Sequence, residues 1–160
     1  MWNDKQENSD TDYFICYAVP TENLLRGTAN LKSRFVQIEE FDLVFHEAQK
    51  VVEQLLKGNV NFVWGVLSPV IIEKTPLFLE LREILKKNLA KNIYHSIKGL
   101  AVQNYEHIKK NPSLKRCKLV CRTLQFGINV LRHNKIEFKP CEESTADQIQ
   151  NLLKELDKAH

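Results

Sequence analysis

FDLVFHEAQKVVEQLLKGN, residues 41–59, changes its hydrophobic period part of the way along, and this change indicates the fold class. The first five residues, 41–45, form a short and mostly apolar run that indicates a β-strand. From His46 the apolar side chains recur at helical spacing, and Gly58 with Asn59 ends the run. The stretch therefore predicts a strand that leads into a helix laid on a sheet.

Two further strands are expected upstream of this junction. Residues 12–19, DYFICYAV, are rich in aromatic and β-branched side chains and stop at Pro20. Residues 34–38, RFVQI, alternate between polar and apolar side chains. The intervening residues 21–34 are expected to form a loop that includes one helical turn.

Downstream of the junction the pattern becomes helical. The segment 59–67, NVNFVWGVL, fits either a strand or a short helix. Pro76 suits the first turn of a helix, and Ser113 suits the cap of another. The predicted helices cover residues 77–88, 91–110 and 113–134, followed by one that starts at Ser144 or Thr145 and runs through about residue 157.

Strands that precede helices indicate an α+β fold, with a small mixed β-sheet lobe followed by a helical bundle. We expect residues 1–75 to form the sheet lobe and residues 76–160 to form the helical lobe.

Composition is that of an ordinary globular protein, with 43% hydrophobic and 27% charged residues. The net charge of +3 permits a local nucleic-acid surface without requiring one. No apolar run approaches the length of a membrane span, and the N-terminus does not resemble a signal peptide. We therefore expect a cytoplasmic protein that does not insert into membranes, with its four cysteines reduced.

Three carboxylates are the sharpest chemical feature of the sequence. Asp10 and Asp12 are two residues apart at the start of the first predicted strand, so they point to the same side. Asp42 lies in an otherwise apolar strand, where an acid needs a partner or a role. If the two strands are neighbours, the three carboxylates predict a site for one or two divalent cations.

Simpler interpretations of these acids stay open. Asp and Ser are common before strands because their side chains stabilise turns, so Asp10 and Asp12 fit a turn equally well. Asp42 could be an acid at the edge of a strand that faces solvent.

Four stretches together resemble a known family. Residues 9–12, SDTD, followed by an apolar strand, resemble the acidic half of the DNA polymerase beta superfamily signature. Residues 41–69 resemble the predicted nucleotidyltransferases of the RNA-repair-associated polymerase beta family. Residues 94–110 resemble the Tyr-His-x-x-x-Gly helix of that family, and residues 115–131 resemble its Lys- and Arg-bearing helix.

This resemblance implies an enzyme that uses two magnesium ions to transfer a nucleotidyl group from a nucleoside triphosphate to an acceptor, for which RNA is a candidate. It implies that Asp10, Asp12 and Asp42 hold the metal, and that Asp42 helps to activate the attacking hydroxyl. It also implies nucleotide contacts from five residues, which are Ser9, Tyr94, His95, Lys118 and Arg122.

One family feature is missing from the 160 residues. The superfamily carries a Gly-Ser pair at a helix start, roughly ten residues before the first Asp, which holds the triphosphate. No Gly-Ser pair occurs here, so we expect either a chain that begins at an internal methionine or a degenerate relative. In both cases we expect little or no transfer activity from this chain by itself.

Two other functions stay open at this point. The chain could be a non-catalytic module that binds nucleotide or RNA, or a structural subunit of an assembly. A sheet that lacks its first strand would also expose an edge, which predicts a homo-oligomer formed through that edge.

Overall fold

The computed structural model describes residues 11–30, 32–89, 92–139, 141 and 144–160. Within these residues three strands and a short helix precede a series of longer helices, so the predicted α+β fold is confirmed. The elements in chain order are β1 (Thr11–Tyr17), α1 (Thr21–Leu25), β2 (Arg34–Ile38), β3 (Phe41–Glu47), α2 (Ala48–Leu56), α3 (Val60–Leu67), α4 (Pro76–Lys87), α5 (Ile93–Lys110), α6 (Leu114–His133) and α7 (Ala146–Ala159).

The described residues form two compact units, and the division falls between Val66 and Leu67. We call residues up to Val66 the sheet unit and residues from Leu67 the helical unit. No helix in the described ranges is long and apolar enough to cross a membrane.

The sheet is mixed, with the strand order β1-β3-β2. β2 and β3 form an antiparallel hairpin whose two-residue turn is Glu39-Glu40, with Glu39 at a φ of 52°. After β1, α1 and the following loop bring the chain to β2 at the end of the sheet where β1 stops. β2 runs back and β3 forward again, so β3 pairs with β1 in parallel. The second strand of the hairpin, β3, is therefore also the central strand, with a neighbour on each side.

One face of the sheet packs against α3. The Phe14 ring of β1 meets Phe62 edge-on, with ring centroids 5.7 Å apart, and the His46 ring of β3 lies 4.6 Å from the same Phe62 ring. Gly65 lies directly over Phe14, and a Cβ at position 65 would overlap that ring. A glycine is therefore required at this point of α3 for the helix to approach the sheet.

The segment 59–67, whose sequence fitted either a strand or a short helix, contains α3. Residues 60–67 are helical, and the apolar side chains of Val60, Val63 and Leu67 are buried at helical spacing. Phe62 and Gly65, on the opposite side of the helix, contact Phe14 and His46 of the sheet. Burial of both sides of the segment favours the helix over the alternative strand.

In the helical unit, α6 packs against both α5 and α7. At Gly127 of α6, a Cβ would come within 2.8 Å of Ile97 on α5 and 2.9 Å of Leu156 on α7, so the three helices meet there. Fully buried side chains of the helical unit include Ile93, Ile97, Val120, Leu124, Phe126, Ile149 and Leu156.

Helix starts match the sequence in two places and differ in one. Thr145 accepts a hydrogen bond from the Gln148 amide at the start of α7, and Pro76 lies in the first turn of α4, where Thr75 accepts a hydrogen bond from the Phe78 amide. Ser113 occupies the N-cap position of α6 but its side chain makes no capping hydrogen bond.

The thiols of the helical unit behave as small apolar side chains. Cys121 and Cys141 are buried, and no disulfide joins any of the four cysteines. Burial, together with the neighbouring Cys141 and Cys117 thiols, raises the pKa of Cys121 to about 12. This side chain therefore stays a neutral thiol at physiological pH.

Candidate functional site

Asp12 and Asp42 are direct neighbours across the parallel pair β1 and β3. Residues in register on adjacent strands point to the same face of a sheet, and adjacent strands lie roughly 4.8 Å apart. On the other side of Asp42, Gln37 of β2 occupies the matching position. The register therefore places two carboxylates and one carboxamide in a row across the sheet, and we call Asp12, Asp42 and Gln37 the polar row.

The polar row lies on the face of the sheet that packs against α3. Phe14 and Val44 form the next in-register pair on this face, and Cys16 and His46 form the one after it. Asp12 is exposed and Asp42 is half-buried, so the row spans from solvent to the margin of the apolar layer. A cation bound here would be reached from solvent and screened by protein on one side.

The remaining predicted residues of the acidic signature, Ser9 and Asp10, lie outside the described residues. Among residues 11–30, 32–89, 92–139, 141 and 144–160, no group of three or more His, Cys, Asp or Glu side chains is placed to hold a metal ion. The polar row supplies two carboxylates, and a three-acid site needs Asp10 as well.

His46 is a strand residue in the structure and does not begin α2. Its Nδ1 lies 2.7 Å from the Ser33 hydroxyl in a hydrogen bond, and burial, with a smaller effect of Lys50, lowers its pKa. Glu47 caps α2 instead, because its carboxylate accepts hydrogen bonds from the amides of Gln49 and Lys50. His46 is four residues beyond Asp42, which is roughly 13 Å along a strand, so it belongs to a different part of the face.

The structure places Tyr94 and His95 at the beginning of α5. The Tyr94 hydroxyl donates a hydrogen bond to Asp157 of α7 at 2.8 Å, and Lys98 donates to the same carboxylate oxygen at 2.8 Å. The Tyr94 ring also stacks on His160 with centroids 4.0 Å apart. His95 is exposed and lies edge-on to Tyr94. Of the two, His95 has its ring available to a ligand, whereas the Tyr94 hydroxyl is engaged within the helical unit.

Lys118 and Arg122 are four residues apart on α6 but differ in environment. Lys118 is half-buried, and Arg122 is only 9% exposed. Arg122 lines a cavity of about 340 Å³ that is formed by α6, α7 and the segment between them. Arg122 is thus part of a concave site rather than of a solvated basic face.

Three features of these sites are not apparent from sequence reasoning. Gln37 joins the polar row through strand register, and a lone Gln in an alternating strand gives no signal of this. Asp157 binds Tyr94 across 63 positions of the chain. Gln125 and Asn129 share the cavity with Arg122, and their spacing of i+3 and i+7 from Arg122 is the signal that could have found them.

Comparison with known proteins identifies a matching family. The family model for the RNA repair pathway DNA polymerase beta family matches residues 2–160. No curated protein and no solved structure matches the chain.

Proposed function

The chain belongs to the RNA repair pathway DNA polymerase beta family, and from this premise we propose that it transfers a nucleotidyl group from a nucleoside triphosphate to an acceptor with the help of magnesium. RNA is the acceptor class that the repair role of the family favours. The proposal depends on a site for divalent cations on the sheet unit.

The observation that carries the proposal is the in-register pairing of Asp12 with Asp42. Two carboxylates that point to the same face from neighbouring strands repel each other unless a cation or hydrogen-bond donors lie between them. Carboxylate oxygens are the ligands that magnesium prefers. The donor set of the polar row therefore fits this ion, with the Gln37 carbonyl oxygen as a further hard ligand beside Asp42.

We propose that Asp12 and Asp42, with Asp10, hold two magnesium ions. When bound, the ions would supply positive charge to the phosphates and to the attacking and leaving oxygens. Asp42 is the more buried of the two described acids, and we propose that it also orients the acceptor hydroxyl and accepts its hydrogen bond. Asp12, which is exposed, would stay accessible to the incoming triphosphate.

For contacts to the nucleotide we propose Ser9, His95 and Lys118. His95 is exposed and Lys118 is half-buried, so both side chains can reach a ligand. We propose that Tyr94 acts only indirectly, by holding α5 against α7 through Asp157. We propose Arg122, which lines the cavity formed by α6 and α7, as a further nucleotide contact. We also propose a cytoplasmic location, with which the reduced state of the four cysteines is consistent.

The first test is metal binding, monitored by electron paramagnetic resonance of Mn²⁺ as a substitute for magnesium. Wild type should bind Mn²⁺, and Asp12→Asn and Asp42→Asn should each weaken binding by about tenfold or more, because each removes one anionic ligand. Asp147→Asn is the matched control, since Asp147 is an exposed acid in the first turn of α7. Equal binding by wild type and both sheet variants would exclude the polar row as the metal site.

The second test is transfer itself. The chain is incubated with magnesium, each labelled nucleoside triphosphate and a pool of RNA, and label in the RNA is measured. Any transfer should require magnesium and should be lost in Asp12→Asn and Asp42→Asn but retained in Asp147→Asn. Transfer is expected to be weak, so it is measured against a reaction without protein; metal binding with no transfer above that background would favour a nucleotide- or RNA-binding module. Transfer that is retained in both Asp12→Asn and Asp42→Asn would show that the polar row is not the site of the reaction.

A further inference from the structure

The outer edge of β2 is open. β3 pairs with one side of β2, and among the residues that the structure describes no segment pairs with the other side. The strand stays in unbroken register with β3 from Arg34 to Ile38, with neither a bulge nor a proline, and only its first residue is charged. Proteins usually protect edge strands with such devices, because an open edge is a template for another strand. β2 therefore has the features of a strand that can accept a partner.

The backbone groups at this edge follow from the pairing of the sheet. The Thr11 N–H donates to the Glu40 carbonyl at 2.9 Å, so the even-numbered positions on this side of the hairpin direct their backbone groups toward β1. The odd-numbered residues of β3 are then directed toward β2, where they bond to its even-numbered residues. The N–H and C=O groups of Phe35 and Gln37 therefore point outward from the edge.

Two large apolar side chains of β2 are also exposed. Phe35 is 61% exposed and Ile38 is 51% exposed. Side chains alternate along a strand, so these two lie on opposite faces of the sheet. A strand added to the outer edge would cover part of both side chains and would bond to the outward backbone groups.

The charges of the hairpin are complementary to those of a second copy of the same hairpin. Arg34 begins β2, and the Glu39-Glu40 turn follows its last residue. If two β2 strands pair antiparallel about Val36, Arg34 of each copy lies beside the Glu39-Glu40 turn of the other. Opposite charges at neighbouring cross-strand positions stabilise a pair of strands, and like charges destabilise it. Parallel pairing would instead bring the two Arg34 side chains together.

We propose that the chain forms a symmetric dimer in which the β2 strands of two copies pair antiparallel about Val36. Phe35 of each copy then lies opposite Gln37 of the other, and these residues exchange backbone hydrogen bonds across the edge. Gln37 takes part through its backbone, so its side chain stays in the polar row. The two copies form one continuous sheet of six strands, three from each copy, with both polar rows on the same face. The sequence predicts a homo-oligomer through the edge that a missing first strand would expose, whereas our proposal concerns the edge of β2.

The first test is sedimentation velocity of the full chain over a range of concentrations. Wild type should show an equilibrium between monomer and dimer. Phe35→Lys should weaken dimerisation by about tenfold or more, because a charge replaces an apolar contact and a symmetric dimer repeats each change. Leu77→Lys is the matched control, since Leu77 of α4 is 74% exposed and lies outside the sheet, and it should dimerise like wild type.

Exchange of charges tests the antiparallel register. Arg34→Glu and Glu40→Arg should each weaken dimerisation, because each brings like charges together across the dimer. The double variant Arg34→Glu/Glu40→Arg should restore the dissociation constant to within about threefold of wild type. Within one chain the two positions are roughly 20 Å apart along the strand, so contact within a chain cannot cause this rescue. Arg116→Glu, which changes an exposed residue of α6, is the control for the change in charge.

Hydrogen exchange of the wild-type chain examines the edge without any substitution. The amides of Phe35 and Gln37 should exchange more slowly as the protein concentration rises, and the Val36 amide, which is directed toward β3, is the internal reference.

A chain that sediments as a monomer at every soluble concentration overturns the proposal. Protection of the Phe35 and Gln37 amides in such a monomer would show that another segment of the same chain covers the edge. A dimer that is unchanged in folded Phe35→Lys and Arg34→Glu also overturns it. If these variants do not fold, the concentration dependence of exchange at Phe35 and Gln37 decides alone, and its absence overturns the proposal.

Discussion

The hydroxyl of Tyr94 donates a hydrogen bond to Asp157 at 2.8 Å and so ties the start of α5 to the end of α7. Lys98, one turn after Tyr94, donates to the same carboxylate oxygen and to the Tyr94 hydroxyl. The three side chains form a closed set of hydrogen bonds on the surface of the helical unit. A residue that the family resemblance associates with a nucleotide is therefore part of a contact between helices.

We expect Asp157→Asn to lower the melting temperature at pH 7 by about 1–3 °C, because the pair is exposed and solvent screens it. Hydrogen bonds from Lys98 and then Tyr94 lower the pKa of Asp157, so its contribution is complete above the unfolded carboxyl pKa of roughly 3.9 and is lost as the pH falls through the lower folded value. Hydrogen bonds to Asp157 and Tyr94 raise the pKa of Lys98 to about 12, so its contribution is lost only as the pH rises toward that value.

Thermal melts between pH 3 and pH 8 check this expectation. The difference in melting temperature between wild type and Asp157→Asn should be constant from pH 6 to pH 8 and should become smaller below pH 4. Asp147→Asn serves as the control for loss of an exposed helical acid. A difference that grows as the pH falls would contradict the assigned direction of the pKa.

Gly65 provides a test of the packing between α3 and the sheet. Gly65→Ala should destabilise the chain by roughly 1–3 kcal/mol, because the new methyl group overlaps the Phe14 ring. The measurement is the free energy of unfolding in urea. In the double variant Gly65→Ala/Phe14→Leu, the cost should be smaller than the sum of the two single costs.

Gly99 is the matched control, since it is also a helical glycine and no atom lies within 4 Å of the point that a Cβ would occupy there. Gly99→Ala should stabilise α5 by about 1 kcal/mol through helix propensity alone. If Gly65→Ala lowers and Gly99→Ala raises the free energy of unfolding, the close approach of α3 to Phe14 is supported. If both substitutions raise it, that close approach is contradicted.

His46 should make stability depend on pH in the mildly acidic range. Burial and then Lys50 lower its pKa, so folding favours the neutral ring. Its contribution is complete above the unfolded histidine pKa of roughly 6.5 and is lost as the pH falls through the lower folded value. His46→Gln should therefore reduce the loss of melting temperature between pH 7 and pH 5.

Ser33→Ala tests the hydrogen bond between Ser33 and His46 separately from protonation of the His46 ring. It removes the partner of His46 Nδ1 and should lower the melting temperature at pH 7. His107→Gln, which removes an exposed histidine of α5, is the control. If His46→Gln and His107→Gln change the loss of melting temperature between pH 7 and pH 5 equally, His46 is not responsible for this pH dependence.

Transfer by these 160 residues should be weak even with the polar row intact. No Gly-Ser pair occurs among them, and loss of one preorganised donor to a developing charge costs about 10²–10³ in rate. Phosphoryl-type transfer depends mainly on positioning and electrostatic stabilisation. The measurement is the rate of magnesium-dependent label transfer to RNA with saturating triphosphate. Robust transfer that Asp42→Ala abolishes would show that the remaining residues suffice.

The order of strands and helices follows from local patterns in the sequence. β2 matches the predicted residues 34–38, and the predicted strand at residues 12–19 overlaps β1 over Asp12–Tyr17. Hydrophobic period and turn residues are local properties, so they are visible without knowledge of the fold. The family resemblance, carried by motifs in their order, is supported by the match over residues 2–160.

Which of these residues come into contact depends on how the strands and helices pack. Residues 60–67 are helical, and their contact with the sheet is made by Phe62 and Gly65 against Phe14, which no local pattern specifies. Asp12 faces Asp42 because parallel pairing fixes the register over all seven positions of β1 and β3. Tyr94 binds Asp157 because packing of α5, α6 and α7 brings residues 63 positions apart into contact. Such pairings depend on how whole elements pack, and a single sequence carries that information only through the sum of its interactions.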